Sequence, residues 1–201
     1  QLERKHFNLL ELLHNTNEIT RMQANEAGVN YYVEDGEIIH TQLFGSPVHF
    51  QQILMNIGSN AVKYNHDGGS VTVTCREVSY TDTTAEYELT CTDTGISMSE
   101  EFQKRAFEPF AQEGQLARTK YAGTGLGLAI SRKLIELQGG TLFFESIQGK
   151  GTKFILHISF EISAEEQEKK SHMYQNCSVE GIQVLLVEDN ELNMEIAEFL
   201  L

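Results

Sequence analysis

The chain has 201 residues, 40% of them hydrophobic, and a formal net charge of −14 from 29 acidic against 15 basic side chains. That length and apolar content suffice for one or two packed domains. The acidic balance excludes a face built to neutralise nucleic-acid phosphates and direct docking on an anionic membrane. Cys75, Cys91 and Cys177 form neither a paired framework nor a ligand spacing, which excludes a disulfide scaffold and a structural zinc site and points to a reducing cytosol.

No apolar run approaches the roughly 20 residues of a membrane span. The opening Gln1-Leu2-Glu3-Arg4-Lys5 is not a signal peptide, and without an initiating Met the chain is expected to be part of something longer. Apolar Phe7, Leu10, Leu13 and Ile19, with Leu9 and Leu12 alongside, predict an amphipathic helix that ends at Gly28. Residues 29–33 and 38–44 are β-rich and flank Asp35-Gly36, which predicts a hairpin. Ser46-Pro47 supplies a capping hydroxyl and a proline at the first helical position. The helix they start should run to about Tyr64 and stop in the turn at 65–69.

Residues 71–78 and 86–91 alternate as two strands. Between 94 and 124 only 99–107 has a helical pattern, and a connection that long is a functional loop or a lid. A second firm helix spans 125–138 and closes on Gly139-Gly140, followed by strands 141–146 and 152–162 around Gly149-Lys150-Gly151. Residues 163–181 are a polar linker. Residues 182–187 have buried-strand character and precede Glu188-Asp189-Asn190 and a helical pattern to Leu201, the front edge of a second domain.

Three features carry chemistry. On the helix from Pro47, Phe50, Ile53, Leu54, Ile57 and Ala61 form a core face, while Asn56, Asn60 and Lys63 form a second stripe about 120° away. Two carboxamides and an ammonium can hold a hard cation and phosphate oxygens, although the same stripe suits an ordinary solvated face. Asp93-Thr94-Gly95 ends a strand, where a carboxylate can accept from a base amine and a glycine admits a flat ring; Asp and Gly are also the commonest turn residues. Gly123-Thr124-Gly125-Leu126-Gly127 opens a helix, leaving backbone N–H groups free for anions. Its spacing is not that of a dinucleotide fold, no strand precedes it, and no P-loop pattern occurs.

In order, these segments resemble the boxes of bacterial sensor histidine kinases. Asn56 and Asn60-Ala61-Val62-Lys63-Tyr64 resemble the N box, Asp93-Thr94-Gly95-Ile96-Ser97 the first glycine box and Phe107-Glu108-Pro109-Phe110 the F box. Gly123-Thr124-Gly125-Leu126-Gly127-Leu128 resembles the second glycine box, and Gly149-Lys150-Gly151-Thr152-Lys153-Phe154 the third. Val184-Leu185-Leu186-Val187-Glu188-Asp189-Asn190 resembles the start of a receiver domain, so the layout is that of a hybrid kinase.

The resemblance implies an α+β fold: a two-layer α/β sandwich, a mixed sheet covered on one face by helices, with a long ATP lid at 94–124. It implies a catalytic ATP-binding domain over 1–162, a linker over 163–181 and a truncated receiver over 182–201. Carried over by position, Asn60 is the Mg²⁺ ligand, Asn56 and Lys63 lie near the phosphates and Tyr64 lines the pocket. Asp93 reads the adenine amine with Thr152 nearby, and Gly95 lets the ring approach. Gly123, Gly125 and Gly127 cradle the phosphates, Phe107 and Phe110 anchor the lid or contact the phosphoacceptor domain, and Arg118 or Lys120 reaches the γ-phosphate.

The implied activity is transfer of the γ-phosphate of Mg-ATP to a histidine on a separate dimerisation domain, with a downstream receiver as second partner. The implied place is the cytoplasmic part of a membrane-anchored sensor, and the chain itself is expected to be monomeric. Related ATPases carry a water-activating glutamate where Asn56 stands, and an amide takes no proton at neutral pH. Ser97 replaces a box glycine; if that position needs positive φ, the side chain strains the lid hinge, which leaves open a regulatory scaffold that transfers nothing. None of the seven histidines has the phosphoacceptor context H-E/D-x-R/K-x-P. The chain alone is therefore expected to take no acid-labile, base-stable label from γ-labelled ATP, which an autophosphorylation assay checks.

Overall fold

The strictest alternation in the sequence lies in the two longest neighbouring strands. In the computed structural model, which describes residues 3–113 and 124–163, β5 (Thr84–Asp93) buries Ala85, Tyr87, Leu89, Cys91 and Asp93, every second residue. Its antiparallel partner β7 (Gly151–Ile162) buries Phe154, Leu156, Ile158, Phe160 and Ile162 on the same face, in register from Thr84↔Glu161 to Asp93↔Thr152. Alternate side chains of a pleated strand point to opposite faces. The intervening Thr72, Thr74, Arg76, Glu88, Thr90, Thr92, Lys153 and His157 are accordingly partly or fully exposed on the other face.

Around that pair lie β1 (Lys5–Asn8), α1 (Leu9–Glu26), β2 (Asn30–Asp35), β3 (Gln42–Gly45), α2 (Pro47–Lys63), β4 (Ser70–Tyr80), α3 (Glu100–Gln103), α4 (Gly127–Leu137) and β6 (Thr141–Ile147). Strand order is β1-β3-β7-β5-β4-β2, with β6 also on β7. All pairings are antiparallel except β2 with β4, so the sheet is mixed. α1 packs on α2, α2 on α4, and their buried residues Leu9, Phe50, Ile53, Ile57, Ala61 and Ile135 join the inward strand positions in one core. This is the α+β two-layer sandwich that the resemblance implied.

Several elements differ from their sequence expectation. α1 turns Leu9, Leu12, Thr16, Thr20 and Ala24 inward and leaves Leu10 and Ile19 exposed. The two threonines are acceptable there because each hydroxyl donates to the carbonyl one turn back, Thr16 to Leu12 at 2.7 Å and Thr20 to Thr16 at 3.0 Å. Phe7 belongs to the short edge strand β1, and Asn8 caps α1 by accepting from the Glu11 N–H at 3.0 Å. Ser46 does not cap α2; its hydroxyl meets His49 Nδ1 at 2.7 Å.

The hairpin at Asp35-Gly36 does not form. β2 pairs in parallel with β4 and β3 lies beyond β7, so the two runs flanking this dipeptide find distant partners. What links them is a crossing held by Glu77, next to the irregularity in β4. The Glu77 carboxylate accepts the Ile39 N–H at 2.8 Å and the His40 N–H at 2.9 Å, and pairs with His40 Nδ1 at 2.6 Å. Both side chains are buried, and the Tyr87 hydroxyl donates to the His40 carbonyl at 2.6 Å.

Burial alone would raise the Glu77 carboxyl, but the His40 and Ile39 N–H groups and the His40 ring outweigh it and hold the group below its ordinary value. A depressed carboxyl contributes stability at neutral pH that is lost as pH falls through its folded value. Glu77→Gln is therefore expected to lower unfolding free energy at pH 7 by roughly 1–3 kcal/mol. That gap closes below the usual carboxylate range, as denaturant melts at two pH values would show.

Candidate functional site

The end of α2 and the loop after β5 meet at a glycine. Gly95 lies against the Tyr64 carbonyl and Asn65 Cα, where any side chain would overlap backbone, and the Ile96 N–H donates to the Tyr64 carbonyl at 2.7 Å. Asn65 secures the same corner by donating from Nδ2 to the Ser70 carbonyl at 2.9 Å. The C-terminus of the helix that carries Asn56, Asn60 and Lys63 is thus docked on the segment that follows Asp93.

Asp93 is 6% exposed. Its Oδ1 accepts the Gly95 N–H at 2.8 Å and the Thr152 N–H at 3.3 Å. Burial pushes its carboxyl up to about 6, against the downward pull of those two N–H groups. Oδ2 takes no hydrogen bond from the described residues, which leaves one acceptor oxygen for a ligand. Thr152 is also tied through its hydroxyl to Ser146 at 2.9 Å. Asp93, Gly95, Thr152 and Tyr64 are therefore brought to one place.

α2 also meets the N-terminus of α4. Asn56 Nδ2 lies 3.2 Å from Ser131 Oγ and 3.4 Å from the Gly127 carbonyl, and a side chain at Gly127 would come to 3.8 Å from Asn56 Oδ1. The carboxamide stripe and the glycine-opened helix thus face each other across Asn56. The Asn60 side chain makes no hydrogen bond among the described residues. Lys63 Nζ lies 5.1 Å above the Tyr64 ring. Gly125 has φ 69° and accepts the Phe110 N–H at 3.0 Å through its carbonyl, which clasps the two described ends of the long loop. Phe110 itself has φ 64° and is 69% exposed, whereas Phe107 packs on Phe144 with ring centroids 5.4 Å apart. Of the two F-box rings, only Phe107 packs against the sheet. Arg118, Lys120 and Gly123 lie outside the described residues, as does the stretch resembling a receiver.

Ser97 overturns its own expectation. Among the described residues Phe110 is the only non-glycine with positive φ, so Ser97 carries no such strain. Its hydroxyl instead donates to the Ile147 carbonyl at 2.7 Å and accepts the Gly149 and Gly151 N–H groups at 3.0 and 3.2 Å. The neighbouring Met98 N–H donates to Ser146 Oγ at 2.9 Å, and Gln103 Nε2 donates to the Met98 and Ser146 carbonyls at 2.9 and 3.0 Å. The root of the long loop is thereby fastened to the β6–β7 turn. Ser131, Ser146 and Gln103 were missed in the sequence because isolated polar residues in otherwise apolar or loop segments carry no signature.

A family model described as histidine kinase-, DNA gyrase B- and HSP90-like ATPase matches residues 45–162, and the chain belongs to that family. It is 34% identical over 195 residues to the sensor histidine kinase AruS of Pseudomonas aeruginosa, covering 97% of this chain and 19% of AruS. It is 31% identical over 195 residues to the autoinducer 2 sensor kinase/phosphatase LuxQ of Vibrio vulnificus, covering 96% of this chain and 23% of LuxQ. The chain thus spans about a fifth of the length of these curated relatives. Full-length ShkA in complex with AMPPNP superposes with a TM-score of 0.66 at 26% identity, over 82% of this chain and 32% of that one. The catalytic domain of the histidine kinase ThkA, nucleotide-free, gives 0.64 at 25% identity, over 78% and 97%. No helix among the described residues is long and apolar enough to cross a membrane.

Removing a hydroxyl that serves three backbone partners forfeits three hydrogen bonds, of which the one to the Gly151 N–H is part-buried and the other two are exposed. Ser97→Ala and Ser97→Gly are both expected to cost roughly 1–2 kcal/mol of stability and to speed amide exchange at Gly149 and Gly151, measured by hydrogen-exchange NMR. Restoring the box glycine should not tighten ligand binding.

Proposed function

We propose that the chain binds Mg-ATP and provides its γ-phosphate to a histidine on a separate phosphoacceptor domain in a two-component relay, with a receiver further along the full-length protein. The observation that carries this is Asp93: a buried carboxylate with one oxygen committed to backbone N–H groups and the other open, beside a glycine pressed on the helix end. Such an oxygen accepts a base amine, and Gly95 leaves room for the ring. The family match, and a superposed relative holding an ATP analogue, support the same reading.

Asn60 would hold the magnesium ion, which supplies charge neutralisation at the β- and γ-phosphates. The fit is that of an ion arriving with its nucleotide: one unpartnered carboxamide oxygen is available, and no cluster of three or more His, Cys, Asp or Glu occurs among the described residues. Magnesium is commonly held in this way, through few protein groups plus phosphates and water. Lys63 sits at the phosphate end of the stripe, and the N-terminus of α4 adds the partial positive charge of its free N–H groups. Asn56 contributes position: its N–H groups hold α4 against α2, and its amide gives water no base. ATP is thereby kept intact until the phosphoacceptor histidine is presented.

Isothermal titration with a non-hydrolysable ATP analogue is expected to give magnesium-dependent heat that Asn60→Ala removes; a regulatory scaffold without nucleotide chemistry would give none. Asp93→Asn is expected to weaken adenosine and ATP-analogue binding at least about tenfold, the worth of one buried charged hydrogen bond. Because protonation removes the acceptor, adenosine affinity of the parent chain should fall as pH drops through about 6, with no such dependence in Asp93→Asn.

A further inference from the structure

On the side of α2 away from the carboxamide stripe, a cavity of about 280 Å³ opens between α1, α2 and the β2–β4 edge of the sheet. Its origin is legible in the packing. Gly58 lets α2 approach Thr20 of α1 so closely that a Cβ there would lie 3.0 Å from Thr20 Cγ2, and the inward Thr16 and Thr20 stand on the cavity wall where longer apolar side chains would fill it. Leu13, Leu54, Ile57, Val73, Leu89 and Phe154 form the walls. Packed interiors hold few voids larger than a water molecule. An apolar cavity of about 150 Å³ already stays dry and takes up benzene.

The lining also has a polar handle. Arg21 Nε is buried and donates no hydrogen bond, while the rest of its side chain is part-exposed; Glu18 Oε1 forms an ion pair with it at 3.4 Å without hydrogen-bond geometry, and the guanidinium lies 5.7 Å from the Tyr31 ring centroid. The Tyr31 hydroxyl is committed to Asn17 Oδ1 at 2.9 Å. Glu18 and Glu34 at the rim, against Arg21 and His14, disfavour a carboxylate ligand. The wall thiols Cys75 and Cys91 are both pushed up to about 12 by burial, so they stay protonated and offer no nucleophile.

We propose that this cavity is a second ligand site, taking an uncharged apolar molecule larger than benzene whose carbonyl-type oxygen accepts from Arg21 Nε. It shares α2 with the candidate nucleotide site but none of the residues placed there, and it does not rest on the nucleotide reading. Leu54, Ile57 and Gly58 face this cavity from the helix whose other stripe carries Asn56, Asn60 and Lys63.

The test is an amide-resolved NMR titration of the chain, without nucleotide, using acetophenone, its hydrocarbon isostere cumene, and benzoate. Acetophenone should shift amides in 13–21, 54–58 and 73–75 saturably, binding about tenfold tighter than cumene, the worth of one hydrogen bond to a charged donor. Benzoate should bind more weakly than acetophenone. Val73→Phe, which fills the cavity, should abolish the shifts, with Leu54→Phe as the second filling variant. Arg21→Met, which keeps the stem and removes the donor, should bring acetophenone down to the level of cumene. Absence of saturable shifts at those amides, or shifts that survive both filling variants, overturns the site. Equal binding of acetophenone and cumene, unchanged in Arg21→Met, overturns the assigned ligand chemistry.

Discussion

A carboxylate taken out of water must be given N–H groups in exchange, and Asp93 is where that requirement organises the molecule. It ends the central strand β5, and the two N–H groups on its Oδ1 come from Gly95, two residues further on, and from Thr152 at the start of the neighbouring strand. Satisfying them bends the chain back under the end of α2, where only a glycine fits against the Tyr64 carbonyl. The helix bearing the carboxamide stripe, the end of β5 and the third glycine turn are thus held together by one buried charge. Because those two bonds use a single oxygen, the group that builds the corner also keeps an acceptor for a ligand.

The second link is Asn56. In a helix face read as phosphate-binding, its N–H groups are directed to the Gly127 carbonyl and Ser131, so this side chain spaces α2 from α4 and thereby sets the width of the gap between them. An amide at that position does two things that a carboxylate would not: it donates to α4, and it leaves water without a base. The net charge of −14 does not prevent such a gap from receiving a polyanion. Exposed carboxylates beyond a screening length of about 8–10 Å contribute little beside a lysine, a helix N-terminus and the metal ion that, on the proposed reading, would arrive with the phosphates.

Much of this was legible along the chain. α2 was marked at both ends, by Pro47 and by the polar turn at 65–69, β4 and β5 announced themselves by alternation, and β7 by its place after the glycine turn at 149–151. The candidate site residues fell in ordered motifs whose residue types are constrained chemically. What escaped was decided by partners far away in sequence. Asp35-Gly36 has hairpin chemistry, yet the flanking runs pair with β4 on one side and with β1 and β7 on the other. α1 has two plausible apolar faces, and the one chosen includes threonines because they can return their hydroxyls to the helix backbone. Ser97 looked like a lost glycine until its hydroxyl was found bonded across to the β6–β7 turn.

The sequence by itself therefore determined which residues have the chemistry to recognise a base, a phosphate and a cation, because that information resides in residue type and short spacing. It also marked most helices and strands, because hydrophobic periodicity follows the local backbone repeat, while the two-layer class of the fold came from the resemblance of the ordered motifs to a known family. Only the tertiary structure decided which strands pair, which face of α1 is buried, that Asn56 spans to α4, and that a cavity remains behind α2. Each of these depends on distances between segments many residues apart, and no local propensity encodes them.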